Sequence, residues 1–495
     1  MQIQLERNGE RDARPVYRQI ADHIRGEIDA RRVAAGSRLP PIRDLARRLH
    51  VNRDTVALAY EALAAAGVVE SAVGRGTFVC GAGRAADGDA EVFQPALSPL
   101  TERLLDFERS RPRFGSGSGA VPMHAVFPDS SLYPVDAFRR VLNRVLIEAG
   151  PELLGYGGPQ GHEGLREVVA KRLRLASIDV AANDLVLCHG ASQGIALSLR
   201  LFAEPGDTVA LEEPTYSNVL ATVAGLGLET RAIPMREDGP DLAVLERALR
   251  RPEVKLFYTI PTFHNPLGTT STREHRTALL EIAARCGKPV IVDAYEMDLR
   301  FAGRPVPSLA ALDRAGLVVH LSSFSKSLFP GVRAGAIAAR GRLVDALVAL
   351  KQATDLSDAM PLQAALAEFV ARGDYDRHLG RLRRILRSRC EALLEALARE
   401  MPRGARWTTP QGGYQVWVEL PEGIDTSDLL ADAVGAGVLF APGAQFHHDG
   451  RPSRGLRLSF AMANEDALRR GVAALGRVVR DRLAAQPRRS ARLHI

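Results

Sequence analysis

Seven short apolar runs, threaded through the middle of the chain and separated mostly by helical stretches, constrain the fold more than any other feature. They are Leu185 to Cys188, Thr208 to Leu211, Thr230 to Ile233, Val254 to Tyr258, Val290 to Asp293, Val318 to Leu321 and Gly335 to Ala338. Runs this short and this apolar are strands buried on both faces, and such strands belong in a largely parallel sheet covered by helices on either side. From about Tyr156 onward the pattern predicts one large α/β domain. A helix-rich stretch around Leu362 to Arg399 then leads to Tyr414 to Glu419 and Gly455 to Ser459, which alternate like strands of a smaller α+β unit. We set the whole domain at 100–485 and its small part at about 385–480.

The beginning of the chain has a different grammar. Ile20, Ile24 and Ile28 recur every fourth residue, one face of a helix running from Val16 to about Arg31. After Pro40-Pro41 a short helix turns Leu45, Ala46 and Leu49 inward, and Asn52 is placed to cap a third helix carrying Val56, Tyr60 and Leu63. Val68 to Glu70 and Thr77 to Val79 flank Gly74-Arg75-Gly76, a glycine-bracketed hairpin. Helix, tight turn, helix and hairpin make a winged helix-turn-helix over residues 12–80, a device that lays one helix in the major groove of DNA. Arg53 at the start of that helix, Arg43 at the start of the preceding one and Arg75 on the wing become candidate contacts to bases or phosphates, beside Asn52 and Thr55. Each arginine taken alone is equally a solvated surface charge. Residues 81–99 are a flexible linker rich in Gly, Ala and Asp, and Gly115 to Gly119 form a second loose patch.

The bulk numbers add less. A formal charge of +7 from 65 basic and 58 acidic residues hints only weakly at a polyanionic partner. The four cysteines are too widely separated for a zinc site or disulfide framework, so no metal is expected. The polar amino terminus lacks a secretory apolar region and no stretch is long enough to span a membrane, which places the protein in the cytoplasm. The basic tail at Arg488 to Arg492 reads as a frayed end.

Chemistry gathers at the ends of the seven strands. Lys326 follows the run Val318 to Leu321 in Ser322-Ser323-Phe324-Ser325-Lys326, and Arg333 follows in Pro330-Gly331-Val332-Arg333-Ala334-Gly335. Asp293 ends an apolar strand, with Tyr295 just beyond it, and Asn265 lies in a loop bracketed by Pro and Gly. Gly190-Ala191-Ser192-Gln193 sits between a strand and a helix, where backbone amides collect anions. Tyr216 can stack on a ring and Arg457 can grip a carboxylate. A plainer use exists for each: surface lysine, strand cap, turn, core aromatic. Together they supply what pyridoxal 5'-phosphate requires, namely a lysine for a Schiff base, a carboxylate for the pyridine nitrogen, donors for the phenolic oxygen and a phosphate cradle. An ion pair to a protonated ring nitrogen would depress the pKa of Asp293.

Residues 15–79 resemble the GntR winged helix in Pro15-Val16-Tyr17-Arg18-Gln19-Ile20, Leu39-Pro40-Pro41-Ile42-Arg43-Asp44-Leu45-Ala46, Val51-Asn52-Arg53-Asp54-Thr55-Val56 and Gly74-Arg75-Gly76-Thr77-Phe78-Val79. Residues from about Phe127 to Val479 resemble a fold-type I aminotransferase in Tyr156-Gly157-Gly158-Pro159-Gln160-Gly161, Asn265-Pro266-Leu267-Gly268 and Ser325-Lys326-Ser327-Leu328-Phe329-Pro330-Gly331-Val332-Arg333. The pairing is similar to the MocR subfamily of regulators. By that resemblance Lys326 is the internal aldimine lysine, Asp293 the pyridinium partner, Tyr295 and Asn265 the phenolate donors, Tyr216 the stacking residue and Arg457 the carboxylate anchor. Ala191, Ser192, Ser323 and Arg333 hold the phosphate, and Tyr156 reaches the phosphate of the neighbouring subunit in a homodimer. The resemblance implies a DNA-binding regulator in which an amine or amino acid displaces Lys326 to form an external aldimine and thereby changes operator binding. Two rivals remain open at this point: an active aminotransferase with a DNA-binding appendage, and a large domain that has lost its cofactor and only dimerises.

Overall fold

Ile20 and Ile24 from the first helix meet Leu45, Val56, Tyr60 and Leu63 in one small core, with Val69 and Val79 of the hairpin closing it. In the computed structural model, described over residues 16–29, 32–34, 36–49, 51–65, 68–72, 76–79, 95–110 and 119–485, this core belongs to the first of two units, Met1–Ala96 and Leu97–Ile495. Its helices are Val16–Asp29, Ile42–Leu49 and Arg53–Ala65, and Val69–Ala72 pairs antiparallel with Gly76–Val79. Asn52 caps the third helix as its sequence position predicts, its side-chain oxygen accepting from the Asp54 amide at 3.1 Å. The Tyr60 hydroxyl donates to the Pro40 carbonyl at 2.8 Å, tying that helix to the turn before the second. One feature was not legible in the sequence: the segment around Ser37 to Leu39 lies along the hairpin, with the Leu39 amide donating to the Thr77 carbonyl and the Val79 amide to the Ser37 carbonyl, both at 2.8 Å. A two-stranded ribbon has bare edges, and this segment covers one of them. Gly74 and Arg75 lie outside the described residues, as do most of the linker, residues 111–118, which include all of the second loose patch but Gly119, and the basic tail.

A unit this small depends on every buried side chain. We expect Ile24→Ala, which empties a fully buried position, to cost the first unit about 2–5 kcal/mol. Thermal unfolding of the full chain should show the transition of this unit moving down while that of the larger one stays in place.

In the second unit all seven anticipated strands form one sheet. Across it the order is Leu185–Cys188, Gly335–Ala338, Val318–Ser323, Val290–Asp293, Val254–Thr259, Thr208–Glu213, Glu229–Arg236 and a two-residue edge piece, Gly239–Pro240. That eighth piece, too short to show any periodicity, is an addition to the seven. Pairing is parallel through the centre, while Gly335–Ala338 runs antiparallel to both neighbours. Alternate residues of one strand feed different cores: Ile291 and Tyr258 face one side, Val290, Val292 and Phe257 the other. That two-sided burial is why the central runs are apolar throughout. Glu229–Arg236, next to the sheet edge, instead alternates and buries only Ile233, so the expectation of burial on both faces fails for that run.

The long helix Asp374–Glu400 leads into an antiparallel sheet ordered Arg406–Trp407, Gln415–Glu419, Gly455–Ser459, Ala441–Pro442. Val121–Pro122 pairs in parallel with Val438–Leu439, so the start of the unit returns to its small part. The linker expected to end near Pro99 gives way there to a helix, Pro99–Ser110, whose Leu104 packs on Gly225. Among the described residues no helix is long and apolar enough to cross a membrane.

Candidate functional site

The carboxyl ends of the parallel strands deliver two groups side by side. Asp293 closes its strand opposite Leu321, and Lys326 lies just past the end of Val318–Ser323. Asp293 is 1% exposed. One of its oxygens, Oδ2, accepts from the Tyr258 hydroxyl at 2.8 Å; the other, Oδ1, is buried and meets no donor among the described residues. Burial pushes this carboxyl up to about 6, against the pull of the Tyr258 hydrogen bond. The protein alone therefore raises the group that the sequence suggested would be depressed. A dry carboxylate oxygen without a donor is costly, and a protonated ring nitrogen is the kind of partner that would relieve it.

Burial holds the Lys326 ammonium below its ordinary value; Glu296 opposes this, and Arg457 and Arg333 reinforce it. Disfavouring the ammonium moves a lysine toward the neutral amine, which is the nucleophilic form. Tyr414 anchors its backbone, donating from its hydroxyl to the Lys326 carbonyl at 2.5 Å. Glu296 was missed in the sequence, although it directly follows Tyr295. It is 1% exposed, Oε2 accepts from Gln415 Nε2 at 3.2 Å, and Oε1 has no partner among the described residues. Burial drives its pKa upward, opposed by Lys326 and Arg457. Tyr258 was also missed, because a tyrosine inside an apolar strand reads as core.

At a second corner of the strand ends, Gly190 takes φ +83°, and a Cβ there would come within 3.2 Å of the Arg333 guanidinium. Arg333 is itself left-handed at φ +45° and donates to the His189 carbonyl. The helix Ala191–Arg200 begins at Gly190 with no side-chain cap, leaving its first amides without a capping side-chain acceptor. Ser323 pairs opposite Gly335, and a Cβ on Gly335 would meet the Gly190 backbone at 3.1 Å. Ala191, Ser192, Ser323 and Arg333 thus share one corner, an anion cradle in chemistry and shape. The Ser192 hydroxyl accepts from Asn218 at 3.3 Å.

Asn265 is 1% exposed and its Oδ1 accepts from Arg457 Nη1 at 2.8 Å. Arg457 also donates to the His124 carbonyl at 2.6 Å, lies over the Phe446 ring, and keeps a buried Nε without a partner among the described residues. It is no surface charge; burial brings it down to about 10. The Tyr216 and Tyr295 rings lie nearly parallel, 12° apart with centroids at 6.4 Å, and Gln415 Nε2 donates to the Tyr295 hydroxyl at 3.3 Å. Tyr156 stands apart, 85% exposed. In the first unit Arg43, Asn52 and Arg53 are exposed and Thr55 is half-buried, whereas Arg75 lies outside the described residues.

Two family models match the chain: bacterial regulatory proteins of the gntR family over residues 16–79 and aminotransferase class I and II over residues 127–475. The chain is 30% identical to the probable rhizopine catabolism regulatory protein MocR of Rhizobium meliloti over 493 residues, covering 96% of this chain and 98% of that protein. It is 33% identical over 372 residues to aromatic-amino-acid aminotransferase 1 of Thermococcus litoralis, covering 74% of this chain and 89% of that one. Among solved structures, the α-aminoadipate aminotransferase LysN of Thermus thermophilus, complexed with N-(5'-phosphopyridoxyl)-L-leucine, superposes with a TM-score of 0.70 at 31% identity, covering 80% of this chain and 99% of that one. The uncapped helix start, the arginine across Gly190 and the buried carboxylate oxygen suit pyridoxal 5'-phosphate, the cofactor of this family. The chain belongs to the aminotransferase class I and II family, in the MocR-like form in which a GntR DNA-binding unit precedes that domain.

Proposed function

We propose that this regulator takes its input through Lys326, and that a small amine carrying a carboxylate is the signal. The observation that carries the reading is the pairing of a buried lysine, whose ammonium form burial disfavours, with a buried arginine whose Nε lacks a partner among the described residues. When bound, pyridoxal 5'-phosphate supplies an aldehyde carbon that exchanges reversibly between amines. Asp293 would hold the ring nitrogen protonated, Asn265 and Tyr295 would donate to the phenolic oxygen, and Tyr216 would stack on the ring. Ala191, Ser192, Ser323 and Arg333 would take the phosphate. Arg457 would orient an incoming carboxylate so that its amine meets the site of exchange. For DNA binding to respond, the ligand must prefer one arrangement of the protein over another, because equal affinity shifts nothing.

Tyr156, with Leu154 beside it at 76% exposed, supports a homodimer in which each chain lends that ring to the other's phosphate. A DNA-binding regulator of this kind works in the cytoplasm. A second reading, slow turnover of the amine, is favoured by the presence of Asp293, Asn265, Tyr295 and Arg457 around the lysine; release of a 2-oxo acid by the purified protein would establish it.

The test is to select the operator from random duplex DNA, measure its affinity by fluorescence anisotropy, and titrate candidate amino acids into the loaded protein. One of them should change operator affinity in the native protein and leave Arg457→Gln unmoved at the same concentration; a native protein indifferent to every amine would refute the reading. Arg53→Ala should weaken the operator complex about tenfold or more. If Arg53 contacts phosphate rather than a base, the loss should be uniform across sequences and the salt dependence shallower by about one ion.

A further inference from the structure

A cavity of about 800 Å³ lies beside the site, between the helix Glu163–Leu175, the loop after Leu299 and the long helix Asp374–Glu400. It touches Tyr295 and Ser323, but Lys326, Asp293, Arg333 and Arg457 are not among its walls. Its size is that of a small-molecule pocket. Phe301 and Phe324 give it apolar surface, and Arg172, Arg300 and Arg383 give it charge.

The three guanidiniums are not equivalent. Arg172 is neutralised by Asp376 at 2.7 Å and Asp298 at 3.4 Å. Arg300 donates to Gln411 Oε1 at 3.1 Å and to the Ala302 carbonyl at 3.4 Å, and lies over the Phe263 ring at 4.8 Å. Arg383 donates from Nε to the Asp298 carbonyl at 2.7 Å. No carboxylate among the described residues lies within ion-pairing distance of either Arg300 or Arg383. Two cations facing a partly apolar cavity without counter-charges form a site for an anion with an apolar body.

The cavity is also wired to the lysine. The Tyr375 hydroxyl donates to Asp298 Oδ2 at 2.8 Å and lies 2.6 Å from Ser327 Oγ, and Ser327 is the neighbour of Lys326. Ser322, Ser323 and Phe324, the approach to Lys326, form part of the cavity wall. An anion drawing on Arg172 would loosen Asp298 and be felt at Ser327.

We propose that this cavity is a second, non-covalent site for a small organic anion with an apolar body, and that its occupancy is read at Lys326 through Asp298, Tyr375 and Ser327. The reading at Lys326 rests on the function proposed above; the binding itself does not. By linkage, such an anion would alter affinity for the amine by the same factor as the amine alters affinity for it.

The probe is 1-anilinonaphthalene-8-sulfonate, an aromatic sulfonate with no primary amine, followed by its fluorescence on the cofactor-loaded full chain. We expect saturable binding of one dye per chain, weakened about tenfold or more in the Arg300→Gln/Arg383→Gln double variant and retained in Arg457→Gln. Val306→Trp, which fills the cavity and keeps both arginines, should also abolish it, so that loss of dye in a misfolded double variant cannot be mistaken for support. Dye binding should shift the visible absorbance of the loaded cofactor, and Tyr375→Phe should keep the dye while losing the shift. Absence of saturable binding, or undiminished binding in the double variant and in Val306→Trp, overturns the site. Binding without any spectral shift overturns the link to Lys326 and leaves the site standing.

Discussion

Lys326→Ala should give a protein that folds, binds its operator and ignores every amine. The substitution removes a side chain whose charged form burial already disfavours, so stability should change little or rise. What disappears is the group proposed to exchange one amine for another at the strand ends. Lys351 is also buried, but its ammonium is clamped by Asp355 at 3.0 Å and Asp358 at 3.1 Å, so it cannot substitute. Pyridoxal 5'-phosphate should still bind weakly through the cradle, while its covalent retention and the shift in operator affinity on adding amine fall to nothing. The measurement is a parallel titration of native and variant protein by absorbance and by anisotropy. An amine response persisting in the variant would show that the signal enters elsewhere.

The second large effect belongs to Asp293. Breaking a buried ion pair by removing one charge costs about 3–5 kcal/mol, so Asp293→Asn should weaken the cofactor on the order of a hundredfold or more. The pH dependence separates this from simple damage. Without cofactor the folded protein holds a proton on Asp293 up to about 6, whereas the unfolded chain releases it near the ordinary 3.8. The folded state therefore binds more protons inside that window, and stability falls as pH rises through it. The loss should reach about 3 kcal/mol by the time Asp293 is ionised in both states, and Asp293→Asn should lack it. Cofactor binding reverses the sign, since the ring nitrogen favours the ionised carboxylate: affinity should climb as pH passes 6 in the native protein, more steeply than in the variant. Urea unfolding and cofactor titration over a pH series read both arms.

Much of this molecule was legible in its sequence because the relevant signals are local. The apolar runs marked the strands, buried on both faces at the centre of the sheet but not at Thr230 to Ile233, and alternation at Gly455 to Ser459 marked the second sheet. Asn52 stood where a helix needed its cap, and Lys326 and Arg333 sat close together in one motif. What could not be read depends on distant partners. Val121–Pro122 is two residues long and becomes a strand only because Val438–Leu439 offers an edge. The approach of Ser37 to Leu39 to the wing is a backbone pairing without a side-chain signature. Glu296 and Tyr258 acquire meaning from burial beside Lys326 and Asp293, and a carboxylate or phenol in a sequence does not announce that it will be dry. Arg457 was legible as a residue type, but its burial against Asn265 and Phe446 was not.

The most direct test of the account is to saturate the full chain with pyridoxal 5'-phosphate, reduce it with borohydride and map the labelled peptide by mass spectrometry, before and after adding the amine that shifts operator affinity. The account predicts one pyridoxyl group per chain on Lys326 in the first sample and its loss from Lys326 in the second, tracking the change in DNA binding. A chain that binds its operator and responds to the amine while Lys326 stays unlabelled throughout would contradict it.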